Sequence, residues 1–193
     1  MTVVSIVEGD GEVAALPILL RRIAEWLSPK SMVQIPEPIR VRRDRFLNKD
    51  EEFKRYLLLA AAKCGDNGWI LVLLDADDDC PAKLGPQILQ RAKEIVPHRR
   101  VSVVLANREY EAWFLAAAES LDGHRGFAFD NPQNFEPEVK RNAKGWLGER
   151  MPEGTYREMI DQPKFSAKMN LSQASERSRS FQKLCQEWKN QMA

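Results

Sequence analysis

Hydrophobic residues in the first part of the chain fall into short runs, separated by longer stretches with helical spacing. Residues 3–7, 69–74 and 101–105 form largely apolar runs, and residues 39–43 alternate apolar and basic positions. Short apolar runs are typical of strands buried on both faces of a parallel sheet, whereas alternation is typical of a half-buried or edge strand. The pattern therefore predicts four strands.

Helical periodicity appears between these runs and after the last of them. Apolar residues recur at helical spacing over residues 13–27, 49–64 and 81–96, and a further helix follows the fourth predicted strand. Alternation of strands and helices predicts an α/β fold, with a mostly parallel four-stranded sheet flanked by helices. We place this α/β domain at residues 1–121.

The remaining residues, 122–193, are predicted to form a loop and a helical C-terminal extension. Residues 122–137 are rich in Gly, Asn, Pro and Phe and predict a long loop, and residues 139–150 and 155–160 predict short helical pieces. Residues 178–191 carry apolar positions at i, i+3, i+4 and i+7. This amphipathic pattern predicts that the extension packs on the same core.

Acidic residues follow three of the four predicted strands. Glu8 and Glu12 follow the first, Asp75 and Asp77 follow the third, and Glu111 lies after the fourth. Parallel strands end at the same edge of a sheet, and ligands of open α/β sheets bind at that edge, so we expect these carboxylates to converge. Asp75 and Asp77 are two residues apart, which points both side chains the same way if the chain stays extended.

Converging carboxylates predict a metal site. They repel one another and raise each other's pKa unless a cation joins them, and their oxygen atoms suit Mg²⁺ or Mn²⁺. Such an ion neutralises phosphate oxygens and orients an attacking water, while a spare carboxylate serves as acid or base. A second interpretation is that these acids form only solvated turns and helix N-caps. We expect Asp78 and Asp79 to be solvated or to lie outside the ligand set.

The order of these motifs resembles the Toprim domain of topoisomerases, primases and OLD-type nucleases. The resemblance rests on Val7-Glu8-Gly9-x-x-Glu12 after the first strand and on Asp75-Ala76-Asp77 after a later one, and it covers residues 1–120. Within that superfamily the chain looks most like small bacterial Toprim-like proteins, similar to OLD nucleases and often encoded beside an ABC-type or OLD-like ATPase. Glu111-Ala112-Trp113-Phe114-Leu115 and the stretch at residues 180–184 carry this narrower resemblance.

The resemblance implies a role for each of the five acids. Glu8 matches the Toprim glutamate that works as acid or base or binds metal, Glu12, Asp75 and Asp77 match metal ligands, and Glu111 matches a supporting ligand. Mg²⁺ or Mn²⁺ is then the implied cofactor. Because the D-x-D motif is extended to D-A-D-D-D, the pair that binds the metal stays open.

The implied activity is hydrolysis of nucleic-acid phosphodiesters, that is, a nuclease acting on DNA or RNA, with an ABC-type or OLD-like ATPase as a partner. The sequence shows neither the tyrosine motif of a topoisomerase nor the zinc-binding and nucleotide-handling parts of a primase. Strand transfer and primer synthesis are therefore not expected.

Charge adds a feature that the motifs do not show. The 193-residue chain has a net charge of +1, but residues 140–193 carry 11 Lys and Arg against 6 Asp and Glu. A basic C-terminal part fits a surface that meets phosphate, and it fits a solvated helical tail equally well. Arg40, Arg42, Arg43 and Arg45 could bind a phosphate backbone, but a charged edge that discourages strand pairing is the favoured interpretation.

Composition also bears on location. No apolar run is long enough to span a membrane, and the first residues lack the basic start and long apolar core of a signal peptide. The three cysteines, Cys64, Cys80 and Cys185, are widely spaced and odd in number, which favours a reducing compartment over a disulfide framework. We therefore expect a cytoplasmic protein without a transmembrane helix.

Two other functions stay open from the sequence. The first is a non-enzymatic accessory subunit of an ATPase system, in which the acids serve structure or regulation and the basic C-terminal region binds the ATPase. The second is a phosphatase of the HAD-like type acting on small phosphoesters, since D-x-D also marks that class. The second is less favoured, because in that class the acids follow the first strand.

Overall fold

A four-stranded parallel sheet forms the centre of the computed structural model, which describes residues 1–130 and 135–193. The strands are β1 (Val3–Val7), β2 (Ile39–Arg40), β3 (Trp69–Asp75) and β4 (Arg100–Ala106), in the order β2-β1-β3-β4. Every pair of neighbours is parallel. The predicted α/β architecture with a four-stranded parallel sheet is therefore confirmed.

Helices fill the connections between the strands and most of the C-terminal part. In the described residues they are α1 (Asp10–Leu27), α2 (Arg43–Asn48), α3 (Asp50–Cys64), α4 (Pro81–Ile95), α5 (Ala112–Ala116), α6 (Ala118–Leu121), α7 (Ala143–Glu149), α8 (Glu158–Ser166), α9 (Leu171–Arg177) and α10 (Arg179–Met192). A 3₁₀ turn at His124–Gly126 follows α6. In the described part of the chain, no helix is long and apolar enough to cross a membrane.

Each face of the sheet buries its own hydrophobic cluster, because successive strand residues point to opposite faces. On one face, strand residues such as Val3 and Leu71 pack with α1 and with the helices that follow β4. On the other face, residues such as Val4 and Ile70 pack with α3 and α4. The sheet thus lies between two helical layers, one of them built largely from the C-terminal half of the chain.

The last helix is anchored to the sheet by its tryptophan. Trp188 on α10 packs edge to face against Trp69 of β3, with ring centroids 5.7 Å apart, and both side chains are fully buried. The indole nitrogen of Trp188 donates a hydrogen bond of 2.7 Å to Ser28 Oγ, just after α1. Ser178 caps α10 by accepting from the backbone nitrogen of Phe181. These contacts place α10 across the same face of the sheet as α1.

Several predicted element boundaries are wrong. The second strand ends at Arg40, since α2 begins at Arg43, where the alternating pattern had predicted strand. Helix α1 begins at Asp10, three residues earlier than predicted, because the acidic turn itself forms its first turn. In the C-terminal part, α8 extends to Ser166, and α9 was not predicted. Of the predicted loop over 122–137, residues 131–134 lie outside the described residues.

Candidate functional site

The five acids named from the sequence lie at the edge of the sheet where the parallel strands end. Glu8 follows β1, Asp75 is the last residue of β3, Asp77 lies two residues beyond it, and Glu111 immediately precedes α5. Glu12 lies in the first turn of α1. We call these five residues the acid cluster. The structure brings them together as two neighbouring groups, Glu8 with Asp77, and Asp75 with Glu12 and Glu111.

Glu12 also has a structural role within its own helix. Its Oε2 accepts a 2.5 Å hydrogen bond from the backbone nitrogen of Gly9, which caps the first turn of α1. A Cβ at Gly9 would lie 2.3 Å from that same oxygen, so the glycine leaves the space that the carboxylate needs. Its other oxygen, Oε1, is free of the cap and faces Gln162 of α8. The N-cap interpretation is thus correct for one oxygen of Glu12.

Asp75 lies among other acids and is partly buried. Its Oδ1 accepts a 2.8 Å hydrogen bond from the backbone nitrogen of Tyr110, which ties the end of β3 to the segment after β4. Burial, with the nearby charges of Glu111 and Glu12, raises the pKa of Asp75 well above its usual value, although Lys144 opposes the shift. Binding of a cation would therefore stabilise the charged form of this carboxyl.

Asp77 faces Glu8 rather than the deeper acids. The chain does not stay extended after β3, because Asp77 adopts a φ of +50° and its backbone nitrogen donates to Arg108 O at 3.0 Å. The predicted extended D-x-D geometry is therefore wrong, although the side chain still joins the cluster. Asp77 is largely exposed, and its Oδ2 lies 3.5 Å from Arg43 Nη1.

Burial, followed by the nearby charge of Asp77, raises the pKa of Glu8. Arg43 opposes this shift, and Glu12 adds to it. Glu8 is half-buried and its backbone oxygen accepts from Arg40 Nε at 3.2 Å. A carboxylate with a raised pKa is a better proton acceptor near neutral pH than an ordinary glutamate.

Glu111 is the most deeply buried member of the cluster, with no exposed surface. Burial raises its pKa to about 8, with Lys144 opposing and Glu12 adding to the shift. Its Oε1 accepts a 3.3 Å hydrogen bond from Gln162 Nε2. Its Oε2 makes no hydrogen bond of good geometry among the described residues, although the buried hydroxyl of Tyr156, also without one, lies beside this carboxyl. A buried oxygen without a partner is costly, and pairing with Tyr156, a water or a bound cation relieves that cost.

Lys144, on α7 in the C-terminal part of the chain, places its own positive charge near the acid cluster. Burial alone would lower the pKa of Lys144, but Glu111, Glu158 and Asp75 raise it. Its Nζ lies 2.8 Å from Glu158 Oε1 on α8. The basic C-terminal part therefore reaches the acid cluster with at least one of its charges.

Arg43 forms hydrogen bonds with the loop at the end of β3, residues 75–79, which we call the aspartate loop. Its side chain is only 12% exposed and donates to the backbone oxygens of Asp75 at 3.0 Å and Ala76 at 3.4 Å, and to Asp79 Oδ2 at 2.5 Å. The interpretation of this arginine as part of a charged strand edge is wrong. Arg43 begins α2 and organises the aspartate loop.

We expect Arg43→Ala to lower the free energy of unfolding by about 2–3 kcal/mol, because hydrogen bonds to charged groups contribute about 1.5–3 kcal/mol and two partly buried backbone oxygens lose their donor. Urea unfolding monitored by tryptophan fluorescence measures the change. Arg42→Ala is the matched control, since Arg42 is exposed on the same turn. Equal losses in the two variants would show that Arg43 does not organise the loop.

The donor set fits a hard divalent cation in its chemistry, because carboxylate oxygens are the ligands such ions take. Three carboxyls of the cluster, those of Glu8, Asp75 and Glu111, have raised pKa values caused by burial and neighbouring acids, which a cation offsets. Among the residues described, no three His, Cys, Asp or Glu side chains stand close enough together to hold a metal ion as they are placed. Ligation therefore requires side-chain rotation, for which exposed Asp77 and half-buried Glu8 have room.

Some residues of the site were not predicted from the sequence. Gln162 and Tyr110 hydrogen-bond to the acid cluster, the charge of Lys144 acts on Glu111 and Asp75, and Tyr110 OH also lies 3.0 Å from Ser166 Oγ. A single glutamine or tyrosine carries no motif, so nothing in the sequence marked either residue. The excess of basic residues after residue 140 was the one signal that pointed to Lys144.

A comparison with protein-family models matches residues 7–188, which include the acid cluster and the helices that contact it. The chain belongs to the family described as Domain of unknown function (DUF4276). Searches among curated proteins and among solved structures find no match. The matched range takes in both α1, with its acidic turn, and the helices α7 and α8 that bring Lys144 and Gln162 to the site.

Proposed function

We propose that the protein is a Mg²⁺- or Mn²⁺-dependent hydrolase of nucleic-acid phosphodiesters, a nuclease of the Toprim type. The observation that carries this proposal is the gathering of five acids at the carboxyl edge of a parallel sheet, three of them with raised pKa values. Burying carboxylates next to one another destabilises a fold, and a divalent cation is the ligand that offsets it. Open α/β sheets bind their ligands at this edge.

The residues divide naturally between binding and proton transfer. A divalent ion, when bound, supplies charge neutralisation for phosphate oxygens and lowers the pKa of a water. The ion would be held by Asp75, Glu12 and Glu111 only after their side chains turn toward it, with Asp77 closing the site from the solvent side, since no three carboxyls are grouped for ligation among the described residues. Glu8 lies beside Asp77 with a raised pKa and would take the proton from the attacking water.

Arginines around the acid cluster support a nucleic-acid substrate. Arg108 and Arg141 both pair with the exposed Asp78, at 3.0 and 3.1 Å, and line a cleft that Asp77 also lines. Arginine is well suited to phosphate recognition, because its planar group donates two parallel hydrogen bonds. A negatively charged backbone would compete with Asp78 for these donors. This arrangement supports a phosphodiester chain rather than a small neutral substrate.

A cytoplasmic location is part of the proposal. Cys64, Cys80 and Cys185 are all free thiols. Unpaired cysteines, one of them exposed, suit a reducing compartment.

Incubation of the purified 193-residue chain with end-labelled single-stranded DNA, double-stranded DNA and RNA tests the proposal. We expect cleavage with Mn²⁺ or Mg²⁺ and none in EDTA. Glu8→Gln should lower the rate by about a hundredfold or more, the usual contribution of a general base. Glu94→Gln, an exposed glutamate near the far end of α4, is the matched control. Cleavage that persists in EDTA, or an undiminished rate in the Glu8 variant, would contradict the assignment.

A further inference from the structure

Arg108 and Arg141 pair with the same carboxylate from two separate parts of the chain. Arg108 lies between β4 and α5, and Arg141 lies just before α7. One nitrogen of each side chain lies close to Asp78 Oδ1, at 3.0 Å for Arg108 and 3.1 Å for Arg141. A guanidinium group can donate two parallel hydrogen bonds, so two of them that converge on one oxygen suit a group with several acceptor oxygens.

The two arginines line a cleft beside the acid cluster. The cleft has a volume of about 170 Å³, and its lining residues are Asp77, Asp78, Arg108, Glu109, Arg141 and Asn142. We call it the arginine cleft. A water molecule takes about 30 Å³ of liquid volume, so a phosphate group fits here together with some of its waters. Asp77 belongs both to the arginine cleft and to the acid cluster, so a group bound in one lies next to the other.

Asp78 can leave the two arginines with little loss of stability. Its side chain is 74% exposed, and that of Arg141 is 72% exposed. Exposed ion pairs contribute little to stability, because water solvates both partners and ordering two long side chains costs entropy. When Asp78 turns away, both guanidinium groups are free to bind another anion.

The other acids of the arginine cleft do not cancel the two arginines once Asp78 has turned away. Asp77 has a cation of its own, since its Oδ2 lies 3.5 Å from Arg43 Nη1. Two arginines then face the single carboxylate of Glu109, which already accepts a 3.3 Å hydrogen bond from the backbone nitrogen of Lys144. The net charge of the arginine cleft becomes positive, which favours an anion.

A phosphate at the end of a nucleic-acid strand suits two converging arginines better than a phosphate within the strand. A terminal phosphate carries about −1.5 to −2 charges near pH 7 and has three strong acceptor oxygens. An internal phosphodiester carries a single charge and has two oxygens free of ester bonds. Three oxygens give each guanidinium group a pair of acceptors, with one oxygen shared between them.

We propose that the arginine cleft binds the phosphate at the end of a nucleic-acid strand, which displaces Asp78 from Arg108 and Arg141. This inference rests on the proposed function, because it names the part of the substrate that the protein recognises. A strand bound by its end places its first phosphodiesters near Asp77 and the rest of the acid cluster. Degradation is therefore expected to begin at a phosphorylated end.

Binding of oligonucleotides by the 193-residue chain in EDTA, measured by fluorescence anisotropy, tests the inference without any cleavage. The probes are single-stranded DNA and RNA of one sequence, with a phosphate at one end, at the other end or at neither. We expect one of the phosphorylated forms to bind about tenfold or more tightly than the form without a terminal phosphate, since charge-assisted hydrogen bonds are the stronger ones. The form that binds best identifies the end that is recognised.

Arginine variants show whether this preference comes from the arginine cleft. Arg108→Gln and Arg141→Gln should each weaken binding of the phosphorylated strand by about tenfold and leave the unphosphorylated strand nearly unchanged. Arg141 is exposed, so its replacement keeps the fold intact. Arg99→Gln is the matched control, because Arg99 is 25% exposed, close to the 27% of Arg108, and pairs with Asp66 before β3.

A variant of Asp78 tests displacement directly. Asp78→Asn removes the charge that holds the two arginines in the free protein. It should tighten binding of the strands with and without a terminal phosphate by a similar factor, because both must displace the same side chain. Unchanged or weaker binding in Asp78→Asn would contradict displacement.

The outcomes separate this inference from the proposed function. Equal binding of strands with and without a terminal phosphate by the wild type overturns the inference, and so does a preference that survives both arginine variants. Neither result bears on metal-dependent cleavage, which the cleavage assay measures. A preference for the terminal phosphate in EDTA that the arginine variants lose, together with no cleavage in Mn²⁺ or Mg²⁺, overturns the proposed hydrolysis and supports the arginine cleft as a phosphate-binding site.

Discussion

Replacing Asp75 by asparagine is expected to reduce Mn²⁺-dependent phosphodiester cleavage by about a thousandfold, while making the metal-free protein more resistant to unfolding. The first effect follows because an amide carries no charge for the cation. Metal ions contribute several kcal/mol to a transition state, and each 1.36 kcal/mol is about tenfold in rate.

Stability should change in the opposite direction. Asparagine keeps the Oδ1 that accepts from the backbone nitrogen of Tyr110, so the link between β3 and the segment after β4 is preserved. The substitution removes a carboxyl whose pKa is raised well above its usual value by burial, Glu111 and Glu12. Each unit of such a shift is about 1.36 kcal/mol of unfavourable ionisation above the unfolded pKa. We therefore expect Asp75→Asn to raise the free energy of unfolding in EDTA at pH 8, where the wild-type carboxyl pays this cost.

Thermal unfolding with and without Mn²⁺, combined with the cleavage assay, measures both effects. Mn²⁺ should raise the Tm of the wild type, because an ion that binds the folded chain alone stabilises it, and should raise that of Asp75→Asn much less. Asp66→Asn is the matched control, because Asp66 is largely exposed, pairs with Arg99 and lies just before β3, at the other end of that strand from Asp75. An Asp75 variant that cleaves at the wild-type rate would contradict the metal site.

The sheet was predictable because its strands are buried on both faces. Residues 3–7, 69–74 and 101–105 show hydrophobic runs that suit no other short element between helices. The convergence of Glu8, Asp75 and Glu111 followed from the parallel arrangement alone, since all strand ends then share one edge. The acids at this edge were therefore predictable without any knowledge of tertiary contacts, whereas Gln162, Lys144 and Tyr110 were not.

The internal arrangement of the site was not predictable, because it depends on contacts that have no local signal. Asp77 adopts a positive φ, which a D-x-D motif does not reveal. Arg43 reaches the aspartate loop across 32 residues of sequence from Asp75, and its neighbours Arg42 and Arg45 are exposed. Nothing in the sequence distinguishes the buried arginine from its neighbours, and the burial of one side chain among several like it is decided by tertiary packing.

The largest expected effect of pH concerns Glu111. Burial raises its pKa to about 8, from an ordinary value of 4.5. Between these two values the folded state binds a proton that the unfolded state has released, so the free energy of unfolding falls as pH rises through this window. The contribution is fully present below about pH 4.5 and is lost by about pH 8. Asp75 and Glu8, whose pKa values are also raised, act in the same direction.

Glu111→Gln should remove much of this pH dependence. The amide is neutral at every pH, so the variant is expected to exceed the wild type in stability at pH 9 by on the order of a few kcal/mol in EDTA, with little difference near pH 5. Urea unfolding at pH 5, 7 and 9 measures the difference between the two proteins. Glu94→Gln, exposed on α4, should follow the wild type at each pH.

Mn²⁺ should reverse the sign of the pH dependence in the wild type. An ion bound to the deprotonated carboxylates would gain affinity as protons leave, so the stability lost by ionising the buried Glu111 and Asp75 would return as binding free energy. Glu111→Gln should be more stable than the wild type at high pH in EDTA, and added Mn²⁺ should raise the stability of the variant little further. Parallel pH profiles for wild type and variant in EDTA would show that Glu111 ionises as an ordinary glutamate. In that case there would be no unfavourable ionisation of Glu111 for a bound cation to offset at this edge of the sheet.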